Sequence, residues 1–406
     1  MASTSPGPSP PHSYRFLLIV CCGLGFASYV TSYMRIPVVP LFAQDLGAGA
    51  VMVGFINSAF LLTSGVFSFP FGLLADRVGR KLVVMAGVLV SLVTSLLLAV
   101  SIAPWQLLLI YLLFGLGLAA IGPTLMAYVA DFSPPDQLGR SYGAYTLAIY
   151  TGMSLGPALG GWVADWLGFR LLFVAAAGLV GLVFLLALAF LPSSRHLAHL
   201  TSAASQPTAS WRQLLRHRPL LGCWLITLGG CFGLGAFVTF APLCMKEQHM
   251  SVRDIGLVFA LQAAVNALSR LPFGRLSDRL GKRWVMAAVG FLLLAAALAA
   301  FGLARTLTGF LLATTILGLA MSLGFTPVGA LIAEVVPPTD RGLAMGGYNT
   351  CIYLGMMISS AMMGVVIGWL GYAWSYGLMG LIVALSTGGF YLLIRDFSSP
   401  PPPWFP

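Results

Sequence analysis

The chain contains 406 residues, of which 59% are hydrophobic and only 8% are charged. Soluble domains contain roughly 45–50% apolar residues, so this composition excludes an ordinary soluble globular protein and indicates one embedded in a membrane. The formal net charge of +10 would suit a nucleic-acid partner, but most Lys and Arg lie in connections between apolar segments, and we expect no nucleic-acid contact.

Twelve apolar segments are each long enough to cross a bilayer as a helix, which requires about 20 mostly apolar residues. They cover residues 15–38, 51–74, 82–103, 106–130, 141–164, 170–191, 219–244, 253–276, 284–304, 307–335, 343–368 and 372–394. The pattern predicts an all-α integral membrane protein. We expect its twelve transmembrane helices to form two pseudo-symmetric six-helix bundles around a central cavity.

One connection, at residues 192–218, is long and polar, and it predicts a cytoplasmic linker between an N-terminal bundle (15–191) and a C-terminal bundle (219–394). Residues 1–14 predict a disordered tail, and residues 395–406 predict a Pro-rich tail. Most Lys and Arg fall on one side if the amino terminus is cytoplasmic. We therefore expect both termini in the cytoplasm and a multi-pass protein of the plasma membrane, specifically a prokaryotic inner membrane.

A ten-residue charged turn occurs twice, about 202 positions apart, which indicates two homologous halves. The copies contribute Gly72, Asp76, Arg77, Gly79, Arg80 and Lys81, then Gly274, Asp278, Arg279, Gly281, Lys282 and Arg283. We expect the cations to reach Asp131 in one half and Glu334 in the other. Wet ion pairs are worth only about 1 kcal/mol each, so the clusters suit a conformational switch. A purely topogenic role would explain one copy but not two in register.

The fifth segment contains a glycine motif, GMSLGPALGG, that ends at Gly161. Gly152, Gly156 and Gly160 recur every four residues and predict a small-residue face for close helix packing. Pro157 removes a backbone hydrogen bond and predicts a kink. Packing alone would explain the glycine ladder.

Three polar residues on the eighth segment form the strongest candidate for a substrate site. Gln262, Asn266 and Arg270 are spaced by four and therefore share one stripe of a helix. No carboxylate lies near mid-membrane to pair with Arg270, and a guanidinium suits a carboxylate or phosphate, so we expect it to bind an anionic substrate. The alternative is a structural Arg in contact with the charged turns.

Arg35, about 20 residues into the first segment, is a second candidate for the cavity. The alternative is that its side chain reaches outward to the membrane surface. Other candidates to line the same cavity are Tyr29, Ser32, Tyr150, Asn349 and Tyr353.

Enzymatic chemistry has little support in the sequence. The six cysteines lie in or beside apolar segments without metal-ligand spacing, and no His lies within a segment. No nucleophile–base pair or carboxylate pair is placed to activate water. We therefore expect no enzyme, no cofactor and no bound metal.

The two charged turns, between segments 2 and 3 and between segments 8 and 9, resemble the signature of the major facilitator superfamily, and the resemblance covers the whole chain. It implies transport by alternating access, with the turns closing the cytoplasmic side. The fifth-segment motif resembles that of the drug/proton antiporter branch. That branch usually has an Arg, tied to proton coupling, where this chain has Tyr111. Arg270 resembles an Arg of monocarboxylate transporters, which often carry an Asp where this chain has Asn266.

We expect a secondary transporter, an exporter of a small drug-like or metabolite molecule that is anionic or neutral rather than cationic. Protons are a possible partner, and Asp131 and Glu334 are the remaining candidates to carry them. Uptake of a carboxylate is the alternative, and a non-transporting membrane sensor has less support. We expect the protein to act in the bilayer as a monomer.

Overall fold

A computed structural model describes residues 14–134, 137–192, 214–337 and 339–395. The predicted tails, except Tyr14 and Arg395, and most of the predicted linker lie outside these residues. The regular structure of the described chain is helical. Its helices are α1 (Tyr14–Arg35), α2 (Val38–Asp45), α3 (Ala50–Val78), α4 (Arg80–Val100), α5 (Pro104–Phe132), α6 (Leu138–Phe190), α7 (Arg218–Glu247), α8 (Val252–Leu280), α9 (Arg283–Leu303), α10 (Leu307–Val335) and α11 (Arg341–Ile394).

Ten helical segments of the described chain are long and apolar enough to cross a membrane, when α1 and α2 are counted together. The two longest, α6 and α11, contain 53 and 54 residues. At 1.5 Å per residue each would be about 80 Å long if straight, more than twice the bilayer's hydrocarbon core. Both are interrupted by a non-helical glycine, Gly168 (φ 80°) in α6 and Gly371 (φ 70°) in α11. These glycines lie between predicted segments, where a side chain would strain the backbone.

The first predicted segment ends differently in the structure. Helix α1 stops at Arg35, Pro37 occupies the position before α2, and the helical chain continues to Asp45 rather than ending at residue 38. Proline fixes φ and lacks an N–H, so it interrupts α1 but is tolerated at the start of a new helix. Apolar composition alone did not reveal this break.

The packing separates a buried interior from an apolar outer surface. Aromatic and aliphatic side chains fill the interior, including Phe237, Phe240 and Phe301, which are at most 1% exposed. Large apolar side chains on the outside, such as Trp166 and Trp369, remain exposed, as expected of residues that face lipid.

Helix packing occurs mainly within two halves, defined here as residues 14–192 and 214–395. In the first half α1 packs on α6, α3 on α5, and α4 on α5 and α6; in the second, α7 packs on α11, α9 on α10 and α11, and α8 on α10. Two extensive contacts join the halves, α3 with α11 and α6 with α8. The surfaces that join the halves therefore belong mainly to these four helices.

Candidate functional site

The charged turns join α3 to α4 and α8 to α9, and define what we call the turn end of the molecule. Gly79 has φ 100° and Gly281 has φ 64°, values that favour glycine, so the turns need glycine at these positions. The opposite end, where α2 and the starts of α3 and α8 lie, is called the far end.

Each charged turn is tied to a carboxylate of its own half. Arg80 Nε lies 2.8 Å from Asp131, and Arg283 Nη1 lies 2.5 Å from Glu334. When the two copies are aligned, Arg80 is equivalent to Lys282. In the second half the ion pair is therefore formed by the next residue, Arg283, instead of the equivalent one. The motif carboxylates, Asp76 and Asp278, contact Arg80 and Arg283 at 3.5 and 2.8 Å. Each of the four ion pairs joins two residues of the same half, so none of them holds the two halves together.

At the far end the halves meet through glycines. A Cβ built on Gly161 of α6 would lie 2.7 Å from the Val252 carbonyl oxygen of α8, and one on Gly256 would lie closer still to the Pro157 carbonyl oxygen. Gly54 of α3 approaches the Ser360 carbonyl oxygen of α11 in the same way. Backbones this close leave no room for side chains, so the far end is closed.

A buried hydrogen-bond network crosses the halves near the same end. Asn57 of α3 donates from Nδ2 to Thr239 Oγ1 of α7 at 3.0 Å, and Thr239 Oγ1 lies 2.7 Å from Ser360 Oγ. Ser58 also donates from Oγ to the Met357 carbonyl oxygen at 3.0 Å. A buried polar group without a hydrogen-bond partner costs free energy, so these hydrogen bonds stabilise the closed far end.

The turn end lacks such contacts at the corresponding glycines. A Cβ built on any of five glycines there would meet no heavy atom within 4 Å; these are Gly72, Gly139, Gly143, Gly342 and Gly346. Gly274 would meet only Thr326, at 3.8 Å, from its own half. The halves are therefore in close contact at the far end and apart at these positions of the turn end.

The fifth-segment motif has two faces. Its glycine ladder lies against α1, since a Cβ on Gly152, Gly156 or Gly160 would lie within 2.7 Å of an α1 backbone oxygen. Pro157 and Gly161 face α8 of the other half. One short motif thus holds the first half together and also forms part of the far-end contact.

The stripe on α8 brings a cation to the junction of the halves. The Arg270 guanidinium carbon lies 4.5 Å from the centroid of the Tyr150 ring of α6. One turn along α8, Asn266 is buried, and at the next turn Gln262 donates from Nε2 to Met321 Sδ at 2.7 Å. One end of the predicted stripe therefore contacts a residue of its own half, and the other end contacts an aromatic ring of the first half.

Two polar atoms of this stripe have no hydrogen-bond partner among the described protein groups, Arg270 Nε and Asn266 Oδ1. Within the described residues no Asp or Glu forms an ion pair with Arg270. An unpaired buried charge costs several kcal/mol. The site therefore favours an occupant that supplies acceptor groups to the guanidinium.

Tyrosines surround the Arg270–Tyr150 contact. The hydroxyls of Tyr29 and Tyr33 on α1 lie close enough to Tyr150 and Tyr353 to interact electrostatically with them. Tyr348 interacts in the same way with Arg270 and Tyr150. Sequence reasoning missed Tyr33 and Tyr348. Tyr33 follows Tyr29 by one helical turn and could have been found from that spacing.

The remaining sequence candidates differ in their surroundings. Arg35 is 1% exposed and packs inside the first half against α4 and α5, so it does not reach outward to the membrane surface. Ser32 is also buried. Asn349 is exposed on α11. Tyr353, in contrast, contacts the other half, because a Cβ on Gly65 of α3 would lie 2.9 Å from Tyr353 Cβ.

The arrangement of two helical halves joined at one end is shared with a known family. The family model of the Major Facilitator Superfamily matches residues 21–251 and 228–406. The chain belongs to the Major Facilitator Superfamily. It is therefore a membrane transporter and not an enzyme, and the family that the sequence predicted is confirmed.

Relatives within the superfamily include an uncharacterized MFS-type transporter of Methanocaldococcus jannaschii, 25% identical over 84% of this chain and 88% of the relative. The quinolone resistance protein NorA of Staphylococcus aureus is 28% identical over 64% of each chain. Among solved structures, a bacterial homolog of the human lysosomal transporter Spinster, in an inward-facing and occupied conformation, has a TM-score of 0.78 at 18% identity, covering 96% of this chain and 98% of that one. The nucleoside transporter NupG has a TM-score of 0.75 at 14% identity, covering 93% and 99%.

The superfamily fold gives the contacts described above a common setting. The far-end glycines and the α8 stripe lie on helices that join the halves, and the tyrosines lie on two of these helices and on the adjacent α1. The charged turns follow α3 and α8, at the ends of these helices that are opposite to the far end. The candidate site is therefore the space between the halves, bounded by α1, α6, α8 and α11.

Proposed function

We propose that the chain is a secondary transporter that exports a small organic molecule, anionic or neutral rather than cationic, by alternating access. The observation that supports this most strongly is Arg270. Its guanidinium is half-buried at the junction of the halves, stacked on Tyr150, with Nε unpartnered among the described protein groups. A charge in this position is expensive unless a ligand uses it.

The proposal includes twelve spans in two six-helix bundles. Breaks at Gly168 and Gly371 would divide α6 and α11 into two spans each, which turns ten apolar segments into twelve. Both termini would then lie on the same side as the charged turns. The concentration of Lys and Arg in those turns supports a cytoplasmic location for this side, in a prokaryotic plasma membrane.

Alternating access requires two arrangements of the halves, and the contacts are consistent with one of them. The far end is closed by glycine contacts, while the glycines named above at the turn end have no neighbour from the other half. With the turn end cytoplasmic, this arrangement would admit substrate from the cytoplasm. The complementary arrangement would part α6 from α8 at Gly161 and Gly256 and bring the turns of the two halves together, so that the charged turns act as the switch.

The charge preference follows from the groups available between the halves. Arg270 offers N–H donors in the planar geometry that matches a carboxylate. The surrounding Tyr29, Tyr150 and Tyr353 offer aromatic faces and hydroxyls, which suit an apolar or aromatic body. A cationic substrate would meet Arg270 without a carboxylate to offset the repulsion.

Export is the favoured direction because the fifth-segment motif resembles that of drug/proton antiporters and because NorA, named for quinolone resistance, is a relative. Proton coupling would have to use Asp131 and Glu334, each already paired with an arginine. Uptake of a carboxylate is the second candidate, supported by the position of Arg270 on α8. Both candidates place the substrate at the same site, a carboxylate for uptake and an anionic or neutral molecule for export, with the protein acting as a monomer.

Ligand-induced stabilisation of the purified protein tests the proposal. A ligand that binds only the folded state raises the melting temperature whatever the coupling ion. We expect small aromatic carboxylates to raise it and lipophilic cations of similar size to leave it unchanged. In Arg270→Gln the carboxylate effect should disappear while the protein remains folded.

Arg253→Gln provides the matched control, because Arg253 lies on the same helix but is exposed at the far end. It should retain the full response to carboxylates. Stabilisation by cations alone, or an undiminished carboxylate response in Arg270→Gln, would contradict the proposed site. Transport assays in proteoliposomes with carboxylate loaded on either side then separate export from uptake.

A further inference from the structure

Asn266, the middle residue of the α8 stripe, has an unmet hydrogen-bonding need of its own. Its side chain is 5% exposed, and Oδ1 has no hydrogen-bond partner among the described protein groups. A side-chain amide oxygen is an acceptor with two lone pairs. Burial of an acceptor without a donor costs free energy, because the water that would otherwise satisfy it is lost. The stripe therefore favours an occupant that donates a hydrogen bond at Asn266.

Asn266 faces the interior of the molecule. Leu268, two residues further along α8 and so about 200° around the helix, is 76% exposed and marks the outer face. Phe259 lies two turns before Asn266 on nearly the same face, and its ring stacks on a phenylalanine of α7 with centroids 5.1 Å apart. One turn after Asn266, the Arg270 guanidinium reaches the tyrosine ring of α6. Asn266 thus lies on the inner face of α8, between its contacts with α7 and with the other half.

The two polar residues at the junction have opposite hydrogen-bonding roles. The Arg270 guanidinium can only donate, and its Nε is unpartnered among the described protein groups, whereas Asn266 Oδ1 can only accept. Their Cα atoms are four residues apart, a rise of about 6 Å along the helix. One molecule that satisfies both residues must carry an acceptor for Arg270 and, some distance away, a donor for Asn266. A carboxylate fits the guanidinium, and a hydroxyl or amino group supplies the donor.

We propose that the substrate is a carboxylate with a hydroxyl or amino group on the opposite side of an apolar body, and that Asn266 selects for this donor. The inference rests on the proposed function, since it places the carboxylate at Arg270. The contact with Asn266 forms as the halves rearrange around the bound molecule, because the side chain is almost completely enclosed. An analogue with a methyl group in place of the donor leaves Oδ1 unsatisfied, and the site discriminates against it.

A series of benzoates with different para substituents tests the donor preference on the purified full-length protein. In 4-hydroxybenzoate and 4-aminobenzoate a donor lies across the ring from the carboxylate, whereas 4-methylbenzoate and 4-methoxybenzoate have none. The concentration dependence of the melting temperature gives Kd for each compound. We expect Kd to be about tenfold lower for the two donors, the effect of one hydrogen bond to a buried acceptor. Equal Kd values, or tighter binding of 4-methoxybenzoate, overturn the inference.

Two variants locate the preference. Asn266→Leu has a side chain of similar size without an acceptor, and it should bind all four benzoates with similar Kd. Thr151→Val is the matched control, because the Thr151 hydroxyl is exposed on α6 and donates only to its own helix, so the preference should be retained. A preference that persists in Asn266→Leu overturns the inference. The series on the unaltered protein decides the question if Asn266→Leu does not fold.

Arg270→Gln separates failure of this inference from failure of the proposed function. Benzoates that bind without a donor preference, and lose their effect in Arg270→Gln, overturn the role of Asn266 and leave the carboxylate site in place. If no benzoate binds, or if binding is undiminished in Arg270→Gln, the proposed site itself is wrong and the inference fails with it.

Discussion

Gly161 of α6 and Gly256 of α8 meet without a side chain between them, since a Cβ built on either would lie 2.9 Å from the Cα of the other. The two glycines come from different halves and from the closed far end. Whatever opens that end must separate them. Their contact is therefore a direct measure of which arrangement the halves adopt.

Gly161→Ala should favour separation of the halves at the far end. The added Cβ would lie 2.7 Å from the Val252 carbonyl oxygen, and this overlap would destabilise the closed far end by about 1–3 kcal/mol, equivalent to a shift in population of roughly 5-fold to 150-fold. Spin labels at exposed Asp45 and Glu247, one on each half at the far end, should report a longer distance. Gly143→Ala, on the same helix with open space around it, should leave the distance unchanged. Equal distances in both variants would show that the glycine contact does not hold the far end closed.

Thr239→Val should weaken the same closed end for a different reason. It removes the acceptor of Asn57 Nδ2 and leaves a buried amide unsatisfied, which costs about 1–3 kcal/mol. The far-end spin-label distance should lengthen as it does in Gly161→Ala. Thr350→Val is the control, because Thr350 is exposed and its hydroxyl donates only to its own helix. An unchanged distance in Thr239→Val would mean that Asn57 finds another partner.

The two charged-turn ion pairs should differ in strength because they differ in exposure. The Arg80–Asp131 side chains are 12% and 10% exposed, whereas those of Arg283–Glu334 are 21% and 30% exposed. Asp131→Asn should destabilise the protein by about 1–3 kcal/mol, and Glu334→Gln by about 0–1 kcal/mol. Melting temperatures of the purified variants measure the order. Asp76→Asn, at a side chain that is 62% exposed, should change stability least, and a reversed order would contradict the role of burial.

Acidification should destabilise the start of α7. His217 precedes that helix, and its Nδ1 accepts from the Leu220 N–H at 3.4 Å. Burial lowers the pKa of His217, while a hydrogen bond to its own backbone opposes the shift. As the pH falls through about 6.5, the unfolded chain takes up a proton before the folded one does, so stability is present above that pH and is lost below it, toward the folded pKa.

His217→Asn separates this effect from other titrations, because asparagine retains a cap acceptor and does not titrate. The difference in melting temperature between about pH 7.5 and pH 5.5 should be smaller in the variant than in the parent protein. The same difference in both proteins would show that His217 does not contribute to the pH dependence.

Sequence reasoning worked where a single physical cause determines the outcome. Apolar length identified the membrane-spanning segments, and the repeated turns identified the family, because a bilayer requires about 20 apolar residues and charged turns cannot be buried in it. The positive φ angles that require glycine at Gly79 and Gly281, in contrast, became visible only in the structure. The break between α1 and α2 was missed, because apolar residues continue past Pro37 and hydrophobic length alone does not show where a helix is interrupted.

The candidate site was harder to predict because it depends on which faces meet. Spacing by four placed Gln262, Asn266 and Arg270 on one face, but no pattern in one helix could show that Arg270 stacks on Tyr150 of another half. Arg35 illustrates the same difficulty. Its place in the sequence indicated an intramembrane arginine, while its packing against Ser95 and Phe114 is set by helices α4 and α5.

Because Arg270 stacks on Tyr150, its guanidinium competes with any cationic ligand for the face of that ring. A cation tethered 4.5 Å from the ring is present at a high effective concentration, and a diffusing lipophilic cation would have to displace it to stack there. The protein would then select against cations because the ring is already occupied, as well as through repulsion. Shortening this one side chain would leave the ring open, and a transporter that we propose to carry anionic or neutral molecules would acquire affinity for cations.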